Sequence, residues 1–178
     1  MINVVDTPNP DTKKFVFNIT ISDKGSKEFK NKNSGFDLID ELFNIGDIEL
    51  IYLDNNFISI RKSKKILWDD LVQKVLNLLK KKVNKNFSPF SFEEESKFTD
   101  DVSLRIEEVL NEKIRPAVAM DGGDIRLKSF KNGVAEVMLK GACAGCPSST
   151  ITLKHGVERM IKHYVPEVTS VEAINLNE

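Results

Sequence analysis

The sequence predicts an α+β protein of two small α+β domains. Runs of period-two alternation sit beside helical apolar stripes in both halves of the chain. One central stretch loses both periods. The second half reads helix, strand, strand, helix, strand, with the helices on one face of a three-stranded sheet. The expected division is residues 1–83, a linker at 84–101, and residues 102–178. A length of 178 residues suits two compact domains of modest size.

In the first half, a short strand is expected over Ile2–Val5, followed by turn chemistry at Thr7-Pro8-Asn9-Pro10-Asp11. Phe15, Phe17, Ile19 and Ile21 alternate with Lys14, Val16, Asn18 and Thr20, the period of a half-buried strand. Phe36, Ile39 and Phe43 mark a short amphipathic helix that Gly46 is placed to end. Ile48, Leu50 and Tyr52, a turn at Asp54-Asn55-Asn56, and Phe57–Ile60 read as a hairpin. Leu71, Val72, Val75, Leu79 and Val83 then give a helical stripe beginning at Trp68. Asp69 and Asp70 in its first turn and Lys80 to Lys82 in its last suit the helix dipole. Trp68 reads as a packing anchor.

The stretch from Asn84 to Asp101 reads as an interdomain linker. Its four phenylalanines, Phe87, Phe90, Phe92 and Phe98, are unusual for a tether. Docking on the neighbouring domains is the simpler reading, and a partner-binding segment the sharper one. The second half opens with a helix carrying Ile106, Val109, Leu110 and Ile114, which Pro116 should bend or end. Asp121-Gly122-Gly123-Asp124 reads as a turn rather than paired acid–base carboxylates, with the glycines supplying positive φ. Strands at Ile125–Phe130 and Val134–Leu139 flank a hairpin turn at Lys131-Asn132-Gly133. Pro147 should open a helix with a stripe of Leu153, Val157, Met160, Ile161 and Tyr164. Pro166 should close it before a last strand at Val168–Ile174.

A net charge of −1 and the lack of a basic, aromatic-interleaved stripe set nucleic acid aside as a partner. No apolar run approaches the ~18 residues of a membrane span, so no membrane partner is expected. The N-terminus has no secretory or transit pattern, and the chain is expected in the cytoplasm, or alternatively in the mitochondrial matrix after leader removal. No catalytic constellation is evident, so the chain is not expected to be an enzyme.

The chemistry concentrates in Gly141-Ala142-Cys143-Ala144-Gly145-Cys146-Pro147, between a strand and a helix. Cys143 and Cys146 are the two cysteines of the chain, and two thiols at this spacing can chelate one metal centre. The glycines should fold the loop closely and leave the thiols exposed, and the helix behind it should favour thiolate. A structural zinc site or a cluster usually takes four ligands, and this chain offers two. His155 and His163 are the only imidazoles, spaced wider than the zinc-type gap of about three to five residues, and read as surface or helix-end histidines. A second copy of the chain would complete the set across a twofold axis. Such an interfacial group suits transient carriage.

The run Asp121-Gly122-Gly123-Asp124, the hairpin, and Gly141–Ser149 resemble the C-terminal domain of NifU, the Nfu family of iron–sulfur scaffold and carrier proteins. The likeness runs from about Val102 to Ile174. Thr7-Pro8-Asn9-Pro10 with Lys14-Phe15, and Leu42-Phe43 before Gly46, look like the Nfu N-terminal domain. The resemblance implies an iron–sulfur cluster, usually [4Fe–4S], ligated by Cys143 and Cys146 and bridging a homodimer. It further implies delivery to apo iron–sulfur recipient proteins and supply by upstream cluster assembly machinery. Spacing alone does not separate [4Fe–4S] from [2Fe–2S]. The rival is a thiol–disulfide oxidoreductase using the same cysteine pair. Against it, Pro147 follows both cysteines, no aromatic precedes Cys143, and a hairpin rather than a βαβ unit leads in.

Overall fold

The computed structural model describes residues 2–84, 86–93, 98–145 and 147–174, the side chains of 147–153 apart. The chain forms two compact units, Met1–Glu94 and Glu95–Glu178, each of mixed helix and strand. The fold class is α+β, as the alternating and helical periods predict.

The first unit carries a five-stranded antiparallel sheet, ordered β1-β2-β6-β5-β4. Its strands are β1 (Ile2–Asp6), β2 (Thr12–Phe17), β4 (Lys27–Phe29), β5 (Ile48–Leu53) and β6 (Phe57–Lys62). Helices α1 (Asp37–Asn44) and α2 (Trp68–Lys82) bury Leu38, Ile39, Leu42, Phe43, Leu71, Val75 and Leu79 in the same core as Phe15, Phe17, Ile58 and Ile60. The expected alternation through Ile21 breaks at Phe17, so Ile19 is exposed while Ile21 returns to the core. Strand β4 and the short β3 (Ser22–Lys24) gave no periodic signal, because three residues hold barely one period. Trp68 packs on the core and its indole N–H donates to the Pro10 carbonyl at 3.0 Å, tying α2 to the Thr7–Thr12 turn.

Part of the expected linker belongs to this core. Strand β7 (Phe90–Ser91) pairs in parallel with β3. Phe87, Phe90 and Phe92 join Phe29 and Phe36 in an aromatic cluster, with ring centroids 5.2 to 6.2 Å apart. The Lys27 ammonium lies 5.5 to 5.6 Å from three of these rings, within reach of cation–π attraction. Phe98 packs instead on the core of the second unit. The simpler reading of these phenylalanines is the one the geometry supports.

In the second unit, α3 (Asp101–Val109) starts on an Asp100 cap that accepts the Ser103 N–H at 2.8 Å. Pro116 does not end the helix. Leu110–Ile114 widen into one π turn, with the Arg115 N–H reaching the Leu110 carbonyl. The helix then resumes as α4 (Arg115–Met120), with Pro116 in its first turn. The π turn absorbs the missing N–H of proline and the clash of its ring with the carbonyl four residues back.

Strands β8 (Gly123–Lys131) and β9 (Val134–Gly141) form an antiparallel hairpin, and β10 (Ser170–Ile174) adds in parallel to β9 after α5 (Pro147–Tyr164). Asn132 and Gly133 both have positive φ (51° and 80°), as the tight hairpin requires. Ile125, Leu127, Ala135, Val137, Leu139 and Val171 face Ile106, Val109, Leu110, Ile114, Val118, Val157 and Ile161, so one face of the sheet carries the helices. On α5 the buried stripe is Val157 and Ile161, continued by Val165 beyond its end, while Met160 and Tyr164 are exposed. Leu153 lies outside the described side chains.

Replacing Phe92 by Ala should lower the stability of the first unit by about 3 kcal/mol, through loss of a packed ring. Urea unfolding of the full chain would show its transition moved and that of the second unit unmoved. Two unmoved transitions would mean the ring is not part of the core.

Candidate functional site

The cysteine loop leaves the end of β9. Gly141 (φ 62°) turns the chain out of the strand, and Ala142 to Gly145 form the turn that leads to α5. Helix α5 begins at Pro147, so its positive end abuts the loop. Cys146 lies outside the described residues.

Cys143 does not stand exposed as the loop glycines suggest. It is 6% exposed and belongs to the hydrophobic core of the second unit. The reason lies across the ladder, where Gly123 is the register partner of Gly141. A β-carbon on Gly123 would lie 2.5 Å from the Cys143 Sγ and 2.9 Å from the Lys140 carbonyl oxygen. The thiol occupies the space that a side chain at 123 would fill. The Ala142 N–H also donates to the Gly122 carbonyl at 3.1 Å, and the Ala144 N–H to the Gly141 carbonyl at 3.2 Å. The Asp-Gly-Gly-Asp segment is therefore the floor of the cysteine loop.

The expected turn covers only part of that segment. Asp121 closes α4 and Gly122 (φ 80°) turns the chain, but Gly123 and Asp124 already belong to β8. Gly123 is needed for space, not for positive φ. Asp124 is 2% exposed. Its carboxylate accepts from Arg115 Nε at 2.7 Å, Arg115 Nη2 at 3.2 Å and Arg126 Nε at 2.7 Å. Arg115 also donates to Asn111 Oδ1 at 2.7 Å. Burial would push the Asp124 carboxyl up, but the charges of Arg126 and Arg115 and their hydrogen bonds outweigh it and hold the carboxyl below its ordinary 3.8. The three side chains form a buried ion cluster.

Sequence reasoning missed both arginines. The signal was present: Asp124 and Arg126 are two apart on one strand and so share a face, and Arg115 is the first residue of α4. The histidines fall where expected, both exposed on α5, with the His163 ring edge-on to Tyr164 at 4.8 Å. Among the described residues, no three His, Cys, Asp or Glu side chains gather to hold a metal ion. Nor is any helix among them long and apolar enough to cross a membrane.

Comparison with known proteins places this geometry. The NifU-like domain family matches residues 106–172, which span the loop and its floor, and the family described as scaffold protein Nfu/NifU N terminal matches residues 2–86. A Homo sapiens protein named NFU1 iron-sulfur cluster scaffold homolog, mitochondrial, is 33% identical over 97% of this chain and 71% of its own length. The chain belongs to the Nfu family. NifU-like protein 4, mitochondrial, of Arabidopsis thaliana is 32% identical over 96% of this chain and 65% of its own length. A Drosophila persimilis protein with the same name as the human one is 32% identical over 97% of this chain and 64% of its own. The chain thus spans about two thirds of the length of these Nfu relatives.

Gly123→Ala should cost this Nfu chain about 2 kcal/mol, since the loop must move to admit the methyl group, and urea unfolding of the second unit would show it. Asp124→Asn should cost about 3 kcal/mol at neutral pH, because two guanidinium groups lose their buried counter-charge. Asp124 stabilises the fold above its unfolded pKa, and that contribution is lost as pH falls through the lower folded value. The stability gap between wild type and Asp124→Asn should therefore close below the ordinary 3.8. Urea midpoints between about pH 2 and 6 would test the sign.

Proposed function

We propose that the chain is an iron–sulfur cluster scaffold and carrier, holding a cluster through Cys143 and Cys146 of two protomers and passing it to apo-proteins. The observation that carries this reading is the cysteine loop itself: two cysteines in the whole chain, one of them seated on a purpose-shaped glycine floor beside a helix start. Thiolate sulfur is the donor that iron–sulfur clusters take. The names of the relatives, iron-sulfur cluster scaffold homologs, support the same cargo.

Ligand number then dictates the assembly. A four-thiolate shell needs two chains, so the cluster-bound form is a twofold homodimer with the cluster at the interface. The cargo is [4Fe–4S], the usual cluster of the family. Transfer is ligand exchange: each recipient thiol loses a proton as it bonds iron, and the departing Cys143 or Cys146 thiolate takes one up. No electron changes hands, and the chain gives up the cluster it carried, so it acts as a carrier. Thiols must stay reduced for this exchange, which both the cytosol and the mitochondrial matrix provide. The relatives are mitochondrial by name, which favours the matrix. The upstream partner is the machinery that assembles clusters, and the downstream partners are apo iron–sulfur proteins.

Anaerobic reconstitution with iron and sulfide should give a coloured dimer with one cluster per two chains. Mass and iron content measured together would decide it, and a monomer with full occupancy would overturn the shared shell. Cys146→Ser and Cys143→Ser should each abolish stable cluster binding. Cys143→Ser should in addition lower stability by about 1 kcal/mol, because a hydroxyl replaces a core thiol.

A further inference from the structure

We propose that Arg115, Asp124 and Arg126 act as one positioning unit that holds Cys143 covered in the cluster-free chain and sets how readily it opens. The part played by Cys143 toward a cluster rests on the function proposed above, but its covering is a property of the chain alone.

A thiol shared between two protomers must reach the surface of each. Cys143 is instead in the core, its Sγ filling the space above Gly123. Loading therefore requires the loop to lift away from its floor. The close packing of Sγ on Gly123 and the Ala142 hydrogen bond to Gly122 oppose that movement directly. Both hold only while the floor itself stays in place.

The floor is pinned from its two ends. Gly122 follows α4, and its own N–H donates to the Ala119 carbonyl at 3.0 Å. Gly123 precedes Asp124, whose carboxylate is bound by Arg115 of α4 and Arg126 of β8. The ion cluster thus joins the helix before the floor to the strand after it. Shifting the floor would pull a buried carboxylate from charged donors, and such bonds are among the strongest a side chain makes. Local opening of the loop is therefore tied to the integrity of the cluster rather than to unfolding of the whole unit. The two states, covered and open, share one equilibrium, and Asp124 biases it toward the covered one.

The test uses the apo chain carrying Cys146→Ser, so that Cys143 is the one thiol. Its labelling by iodoacetamide is followed under native conditions by mass spectrometry. Asp124→Asn should speed labelling by about tenfold or more. Val171→Ala, a core truncation in the same unit, is the control for stability, with the two variants brought to equal stability by added urea. Equal labelling of the two variants would reduce Asp124 to a general support of the fold and overturn the proposal. In a second arm both native cysteines are kept and iron and sulfide are added. Faster loading of Asp124→Asn than of wild type supports gating of the thiol, and equal or slower loading overturns it. A wild-type chain that takes no cluster at all would overturn the proposed function, while the labelling result would still decide whether Asp124 positions Cys143.

Discussion

Two glycines that face each other across the β8–β9 ladder govern how closely the cysteine loop can lie on the sheet. Gly123 has no side chain to hold the loop off, and Gly141 takes the positive φ that folds the loop back over it. The thiol of Cys143 completes the packing where a methyl group would otherwise sit. Close-packed interiors tolerate little misfit, so this contact ties the fold of the second unit to the position of the Cys143 thiol. The helix start at Pro147, the floor at Gly122 and the buried carboxylate at Asp124 all take their places around it.

Much of this was legible in the sequence, and the reasons differ by element. The longer helices and the central hairpins carried enough residues for their periods to stand out. The stripe Leu71, Val75, Leu79 and the turn Asn132-Gly133 are of that kind. Strands β3, β4 and β7 were not legible, because so few residues cannot display a period and long-range pairing decides them. The path through Pro116 was misread because a π turn leaves no mark in composition. On α5 the expected Val157 and Ile161 are buried, whereas Met160 and Tyr164 of the same expected stripe are exposed and Val165, just beyond the helix, packs in the core.

The site shows a similar division. The spacing of Cys143 and Cys146 and the flanking glycines announced a chelating loop. The burial of Cys143 did not follow from them, since a glycine-rich loop suggests exposure when the partner strand is unseen. The glycine that matters most for burial stands twenty residues earlier, and only the register of β8 on β9 brings it near. Asp124 was misassigned for a related reason. A carboxylate at the end of an Asp-Gly-Gly-Asp run reads as turn chemistry until the arginines that satisfy it are placed by the helix and the strand.

The five-phenylalanine cluster makes the physical limit of the first unit different from the limit of its family match. That match ends at residue 86, whereas Phe87, Phe90 and Phe92 lie beyond it. A fragment cut at the earlier point would keep Phe29 and Phe36 and lose the other three rings, including Phe90 and Phe92, which pack against them. It would also remove β7, the strand that pairs with β3 in their two-stranded sheet. Bare aromatic surface beside an unpaired strand edge favours self-association. Shortening the chain by these few residues would therefore turn a well-sealed domain into a sticky one, and its solubility would report on the seal rather than on any change in the sheet.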